Sequence, residues 1–295
     1  MPLLAALLGA VAISFSAIWF ALAEVDAVTG ALFRAAYAIP ILIVLWWRVR
    51  GSDRRSRKAR GLAWLAGFML GFDWICWHLA IEHIGTGLAT LIANCQVVVV
   101  ALLAWWWLGE KPARVVMAAI PIVLAGVALV SGLGREGSFG SDPLLGTLLA
   151  FGAAVFYAAF LLGYRRSNQV RSPAVGSLLD ATAGALVASL LAAAVIGGVD
   201  WVPSLPGHAW LLALAVGSQV GGWLAIGYAL PRLPAAETST FILLQPVLTM
   251  AWGAMLFAER PSAIQLTGAV LVLGGVGMVA ALSSRRRPQP AEVPT

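Results

Sequence analysis

Gln96-Val97-Val98, running on to Gly109-Glu110-Lys111-Pro112, occurs a second time in this chain as Gln245-Pro246-Val247 running to Ala258-Glu259-Arg260-Pro261. In each copy the glutamine precedes the glutamate by 14 residues, and a basic residue and a proline follow. The shift of 149 positions that superposes the copies also pairs Trp74 with Trp223, Val123-Leu124 with Val272-Leu273 and Gly126-Val127 with Gly275-Val276. Both copies lie in apolar segments. A period of this length there indicates an internally duplicated membrane protein and not a solenoid.

Composition agrees with that reading. Of 295 residues, 61% are hydrophobic and only 11% charged, where a soluble domain carries about 25% charged residues. Apolar runs of about 20 residues, enough to cross a hydrocarbon core of roughly 30 Å, recur along the chain. The fold class expected is an all-α polytopic membrane protein. Ten spans are placed at 3–22, 29–47, 61–81, 86–108, 114–133, 144–164, 173–196, 208–228, 235–257 and 262–282. The first begins at Leu3 without a charged leader or a small-residue cleavage site, and reads as a retained span. Cys76 and Cys95 fall inside spans and read as small core residues, not as a disulfide framework.

The net charge of +6 does not point to nucleic acid, because the basic residues sit in short loops. The loop from Arg48 to Arg60 alone holds seven Lys or Arg. Placing it in the cytoplasm puts 16 basic residues inside and leaves Arg135 and Arg260 outside. That asymmetry orients both termini to the cytoplasm of a bacterial-type inner membrane. Five spans per half is an odd number, so the second half enters the membrane from the opposite side. The expected organisation is a first five-helix repeat (1–133), an external linker (134–143), a second repeat (144–284) and a disordered, proline-rich tail (285–295). Inverted repeats of this kind enclose a site near the membrane midplane and rock around it.

Two five-helix halves, each with a helix ending in Gly/Ala-Glu-Lys/Arg-Pro, resemble the EamA-type members of the drug/metabolite transporter superfamily. The resemblance runs from the first span to Leu282 and is nearest to the aromatic amino-acid exporter branch. It implies ten helices around a central cavity and export of amino acids or other small metabolites. One departure stands out. The family carries a proline in the middle of the fourth helix, whereas here Val97 follows Gln96 and only Gln245 is followed by proline, Pro246. A gating kink is therefore expected in the ninth helix alone.

Polar groups inside a bilayer need partners or a water-filled cavity. In the fourth span Thr86, Thr90 and Asn94 share a helix face, just before Gln96. In the ninth, Thr238, Phe241, Gln245, Leu248 and Trp252 form the corresponding stripe. These faces are expected to frame the pocket, although Thr, Asn and Gln also serve as plain helix–helix contacts. The third span contributes Trp74, Trp77 and His78, an aromatic and imidazole surface suited to a ring-bearing zwitterion. Trp19, Trp223, Tyr157 and Gln219 complete the candidate substrate-binding set. Phe156 and Phe160 beside Tyr157 read more simply as packing. Trp46, Trp47, Trp105, Trp106, Trp107 and Trp201 read as an interfacial belt.

Among the charges, Asp73 and Glu237 are candidates for proton coupling, since burial favours the protonated form of a carboxyl group. Arg34 is expected either to pair with Asp180 or to snorkel outward. Glu110 and Glu259 each precede a proline-started helix and are expected to favour its dipole. No ATP-binding G-x-x-x-x-G-K-[ST] and no H-E-x-x-H or Cys/His cluster is present, so no cofactor or metal is expected. The resulting expectation is a secondary transporter and not an enzyme. It would export neutral amino acids or related metabolites by alternating access, as a monomer and by facilitated diffusion. Two alternatives stand beside it: proton-coupled export on the same fold, and a membrane-embedded enzyme using His78 and Asp73.

Overall fold

The computed structural model describes residues 2–108, 114–131, 140–168, 172–229, 244–258 and 260–284. All regular secondary structure among them is helical, and every predicted span overlaps helix. Among the described residues five helical stretches are long and apolar enough to cross a membrane: Ala27–Ser52, Arg57–Ile84, Pro143–Ser167, Ala174–Ile196 and Leu205–Ala229. Large apolar side chains such as Trp106, Leu148, Val195 and Val270 are exposed, as a lipid-facing surface requires and a soluble one does not tolerate. The chain is a polytopic helical membrane protein. Glu110, Lys111, Pro112, Glu237, Thr238, Phe241, Glu259, most of the 134–143 linker and the tail lie outside the described residues.

Among the described residues, three predicted spans are not continuous α-helices. The first divides into α1 (Pro2–Ser14) and α2 (Ser16–Ala23), with the break at Phe15. The second and third are the long helices α3 (Ala27–Val49) and α4 (Arg57–Ile84). Each opens on a side-chain cap: Asp26 accepts from the amides of Val28 and Thr29, and Ser56 from that of Ala59, so the first orphan N–H groups are satisfied. The fourth span divides into α5 (Thr86–Ala93) and α6 (Gln96–Leu108), and the fifth is α7 (Arg114–Ser131). Then follow α8 (Pro143–Ser167) and α9 (Ala174–Ile196). The eighth span runs from α10 (Leu205–Ala213) through a π-helical stretch (Leu214–Gly222) into α11 (Trp223–Ala229). Within the ninth and tenth spans lie α12 (Leu244–Phe257) and α13 (Ala263–Ser284).

The packing of these helices is paired. α4 lies on α8, and α1 lies on α11 and the π-helical stretch. α4 lies on α9, and α3 lies on the π-helical stretch. α5 and α6 lie on α8, and α12 lies on α1. In each case the second packing is the first with every span replaced by the one five places along. α3 with α9, α5 with α12, and α7 with α13 are their own counterparts.

Small residues let the backbones approach. A Cβ on Gly67 would stand 1.7 Å from the Ala181 carbonyl oxygen, and one on Gly184 would stand 2.0 Å from that of Trp64. α4 and α9 therefore meet main chain to main chain, as small-xxx-small helix pairs do in membranes.

Charge holds one end of this bundle. Arg55 grips Asp53 with two nitrogens at 2.8 and 2.9 Å and reaches Asp180 of α9 at 2.8 Å, while Arg60 stands 3.5 Å from the same carboxylate. Asp180 is thus the partner of Arg55, and the expected pairing with Arg34 is not formed. Helix rotation decides this: Asp180 faces the Arg48–Arg60 loop, and Arg34 faces the interior.

The hydrogen bonds from Arg55 hold the Asp53 carboxyl down at about 2 against some opposing desolvation. A depressed folded value stabilises above the ordinary carboxyl pKa, and the contribution disappears as pH falls through about 2. Asp53→Asn should therefore lower the thermal stability of the purified protein at pH 6 by about 1–3 kcal/mol, with the deficit narrowing by pH 3. A deficit independent of pH would remove the ion pair as its cause.

Candidate functional site

The three interrupted spans meet around one cavity. Its volume is about 70 Å³, room for about five waters at roughly 10–15 Å³ each. Each interruption has an identifiable cause. In the fourth span the Asn94 side-chain amide donates to the Thr90 carbonyl at 2.8 Å, competing with its own backbone N–H at 3.2 Å. The chain then tightens, with Cys95 N–H bonded to Ile92 O and Val98 N–H to Cys95 O, both at 2.9 Å. Asparagine in mid-helix offers this local alternative to the α-ladder. A kink was expected at Pro246 in the ninth span alone; the fourth span is interrupted at Asn94 without a proline, and Pro246 lies in the first turn of the described part of α12.

At the first-span break, the Ser14 carbonyl takes its bond from outside: the Thr249 hydroxyl of α12 donates to it at 2.9 Å. The Trp252 indole N–H donates to the Ser14 hydroxyl at 3.2 Å, and Phe15 stacks between Trp19 and Trp252. In the eighth span, the wide π turn brings Ser218 into hydrogen-bonding contact with Ser16 beside the break. Gly217 leaves room for Trp19, whose ring would lie 2.3 Å from a Cβ there. π-Helical turns recur at functional sites because they re-aim side chains within a helix.

Most of the expected residues reach the cavity. Trp74, Trp77, Thr90, Asn94, Gln96, Tyr157, Trp223 and Gln245 line it, together with Asp73. The two duplicated pairs, Gln96 with Gln245 and Trp74 with Trp223, converge on this one space. Trp77 donates to Thr90 at 3.2 Å, joining the third and fourth spans. Gln96 Oε1, Asn94 Oδ1 and Gln245 Nε2 are buried and have no hydrogen-bond partner among the described residues. Three such amide atoms in one wall leave bonds that water or a ligand can supply.

Four other candidates lie elsewhere. His78 is fully buried, stacked on Phe20 at 3.9 Å, with Nδ1 donating to the Ala27 carbonyl at 3.2 Å. It is not among the side chains that line the cavity with Asp73. Trp19 and Trp252 support the first-span break. Gln219 stands behind Arg34: it accepts from the Arg34 Nε at 3.3 Å and donates to Thr182 at 3.0 Å. Phe241 and Glu237 lie outside the described residues.

Arg34 is what sequence reasoning missed. Only 3% exposed, it lines the cavity with its guanidinium 4.4 Å from the Trp74 ring centre. Neither terminal nitrogen hydrogen-bonds to a described residue, and no contact within 4.0 Å joins it to Asp73. Ser16 and Thr249 also line the wall unannounced. A second-span arginine next to aromatic residues of the third was the available signal. Among the described residues no cluster of His, Cys, Asp and Glu is assembled that could hold a metal ion.

Comparison with known proteins gives this geometry a context. A model of the EamA-like transporter family matches residues 1–132 and 144–281. The uncharacterized transporter YvbV of Bacillus subtilis is 25% identical over 211 residues, 68% of this chain and 65% of its own length; that match spans just under two thirds of the relative. The threonine/homoserine exporter RhtA of Salmonella typhimurium is 26% identical over 265 residues, 88% of this chain and 83% of its own. A solved crystal structure aligns with 96% of this chain and 98% of its own at a TM-score of 0.66 and 19% identity, which shows a shared fold.

The capping role of Thr249 is open to measurement. Thr249→Val should cost about 1–2 kcal/mol by stranding the Ser14 carbonyl. Thr267→Val, whose exposed hydroxyl bonds only its own helix, should be near neutral. Equal effects would count against a cross-span cap.

Proposed function

This chain belongs to the EamA-like transporter family, and we propose that it exports neutral amino acids or closely related metabolites by alternating access through the cavity between its repeats. One observation carries the reading. Glutamines and tryptophans that are duplicated in sequence, Gln96 with Gln245 and Trp74 with Trp223, line the same cavity and leave amide groups without partners. Unpaired amides are satisfied by water when the site is empty and by substrate when it is filled. The tryptophans and Tyr157 offer flat apolar surface to a side chain, aromatic or aliphatic.

The paired helix packing and the two stretches matched by the family model support inverted five-helix repeats, 1–133 and 144–284, joined by the 134–143 linker. The ten expected membrane crossings and the excess of basic residues in one set of loops support an inner-membrane protein with both termini cytoplasmic. Amino-acid export draws support from RhtA, named as a threonine/homoserine exporter. The cavity, at about 70 Å³, is nearer the scale of a free amino acid than of a lipid-linked headgroup.

Facilitated movement is the simpler scheme. Proton coupling through Asp73 is favoured as a second reading by one fact: this buried carboxylate accepts no hydrogen bond from a described residue.

Counterflow of labelled L-threonine and L-phenylalanine into proteoliposomes tests the proposal. Gln96→Ala and Gln245→Ala should each reduce counterflow about tenfold, the equivalent of about 1.4 kcal/mol, with unchanged yield and melting temperature. Wild-type rates in both variants would remove the duplicated glutamines from the pathway. A pH gradient that accelerates wild type but not Asp73→Asn would move the mechanism to proton coupling.

A further inference from the structure

We propose that Arg34 and Asp73 form two opposite poles that select zwitterions: the substrate carboxylate binds Arg34 and its ammonium group binds Asp73. The inference deepens the amino-acid reading above and rests on it. Both side chains are nearly inaccessible, at 3% and 6% exposure, and both line the cavity. They act on one another electrostatically, yet no nitrogen–oxygen contact within 4.0 Å forms between them. Arg34 is held back instead. Its Nε is tied to Gln219, which is tied to Thr182 and through it to the Leu178 carbonyl of α9. Its face lies over the Trp74 ring, an arrangement that stabilises a cation without neutralising it.

The unused edge of the guanidinium holds its two terminal nitrogens, the geometry that grips a carboxylate with two bonds. Asp73 immediately precedes Trp74 on α4 and accepts no hydrogen bond from a described residue. An ammonium group carries three N–H donors and no acceptor, which fits a bare carboxylate.

Charge balance makes the pair selective. When Asp73 is ionised opposite Arg34 the empty site is neutral overall, and an entering ammonium group favours that form. A zwitterion enters and keeps it so, placing each of its charges against the opposite one. An amine alone or a carboxylate alone satisfies one pole, brings in a net charge and leaves the other pole unpaired, which is costly in a low-dielectric site. Discrimination of this kind is strong because it works by leaving buried groups unmatched. Gln219 is a positioning residue here, since it reaches Arg34 and not the cavity.

The experiment is competition against labelled L-threonine counterflow in proteoliposomes holding the full chain. The competitors are L-threonine, L-threoninamide, which lacks the carboxylate, and N-acetyl-L-threonine, which lacks the ammonium group. Wild type should prefer threonine at least tenfold over either analogue. Arg34→Gln should lose the preference over threoninamide and keep that over the N-acetyl compound. Asp73→Asn should show the reverse. This crossed pattern is one that a structural role for either residue does not generate.

Variants that lose both preferences together, or neither, overturn the proposal while leaving amino-acid transport standing. A wild-type chain that moves no threonine, phenylalanine or other neutral amino acid overturns the parent reading itself. If Arg34→Gln is not recovered folded, Arg34→Lys keeps the charge without the two-pronged edge. It should weaken threonine several-fold and leave threoninamide unchanged, and equal weakening of both counts against the assignment.

Discussion

A backbone N–H or C=O that has lost its helical partner cannot remain bare in hydrocarbon, so a transmembrane helix can break only where protein or trapped water takes over the bond. This constraint organises the molecule. The breaks at Phe15 and at Asn94–Cys95 and the π-helical stretch of Leu214–Gly222 lie in three spans remote in sequence, yet they adjoin one polar cavity. Thr249 serves the Ser14 carbonyl, the Asn94 amide serves that of Thr90, and Ser16 and Ser218 serve one another. The cavity is the place where irregular backbone is affordable, and the irregular backbone in turn gives the cavity its polar wall.

The charged groups divide into two sets by the same logic. Arg55, Asp53 and Asp180 satisfy each other with short contacts at one end of the bundle, where they tie α9 to the loop before α4. Arg34 and Asp73 are equally buried but do not close on one another. A pair that is complete stabilises the scaffold; a pair that is held open is available to a ligand. The close approach of α4 and α9 through Gly67 and Gly184 ties these sets together, because the same two helices carry Asp73 at one level and Asp180 at another.

Much of this was legible in the sequence, for physical reasons. Apolar runs and a duplicated motif are one-dimensional signals, so the spans and most of the cavity residues could be read directly. Gln96 and Gln245 announced themselves by the repeat, and Trp74 and Trp223 by the same shift. What escaped was set by long-range contact. Phe15 and Cys95 have neither proline nor glycine at the break, and the first of these depends on Thr249, more than 200 positions away. Arg34 was expected either to pair with Asp180, at a similar position in its own span, or to snorkel outward, and only the fold shows that Arg34 lines the cavity while Asp180 meets Arg55. His78 lies one helical turn from Trp74, yet Gly30 opens a slot in which the imidazole stacks on Phe20, away from the cavity.

The central claim is that two halves of opposite orientation enclose a single pathway that opens to each side in turn. Labelling of single cysteines placed at Gln96 and Gln245, in a chain with Cys76 and Cys95 replaced by alanine, tests it most directly. A membrane-impermeant thiol reagent would be applied from each face of sealed vesicles in turn. The account predicts that both positions react from both faces and that L-threonine slows all four reactions. Reaction of each position from one face only, or of neither from either face, would contradict it.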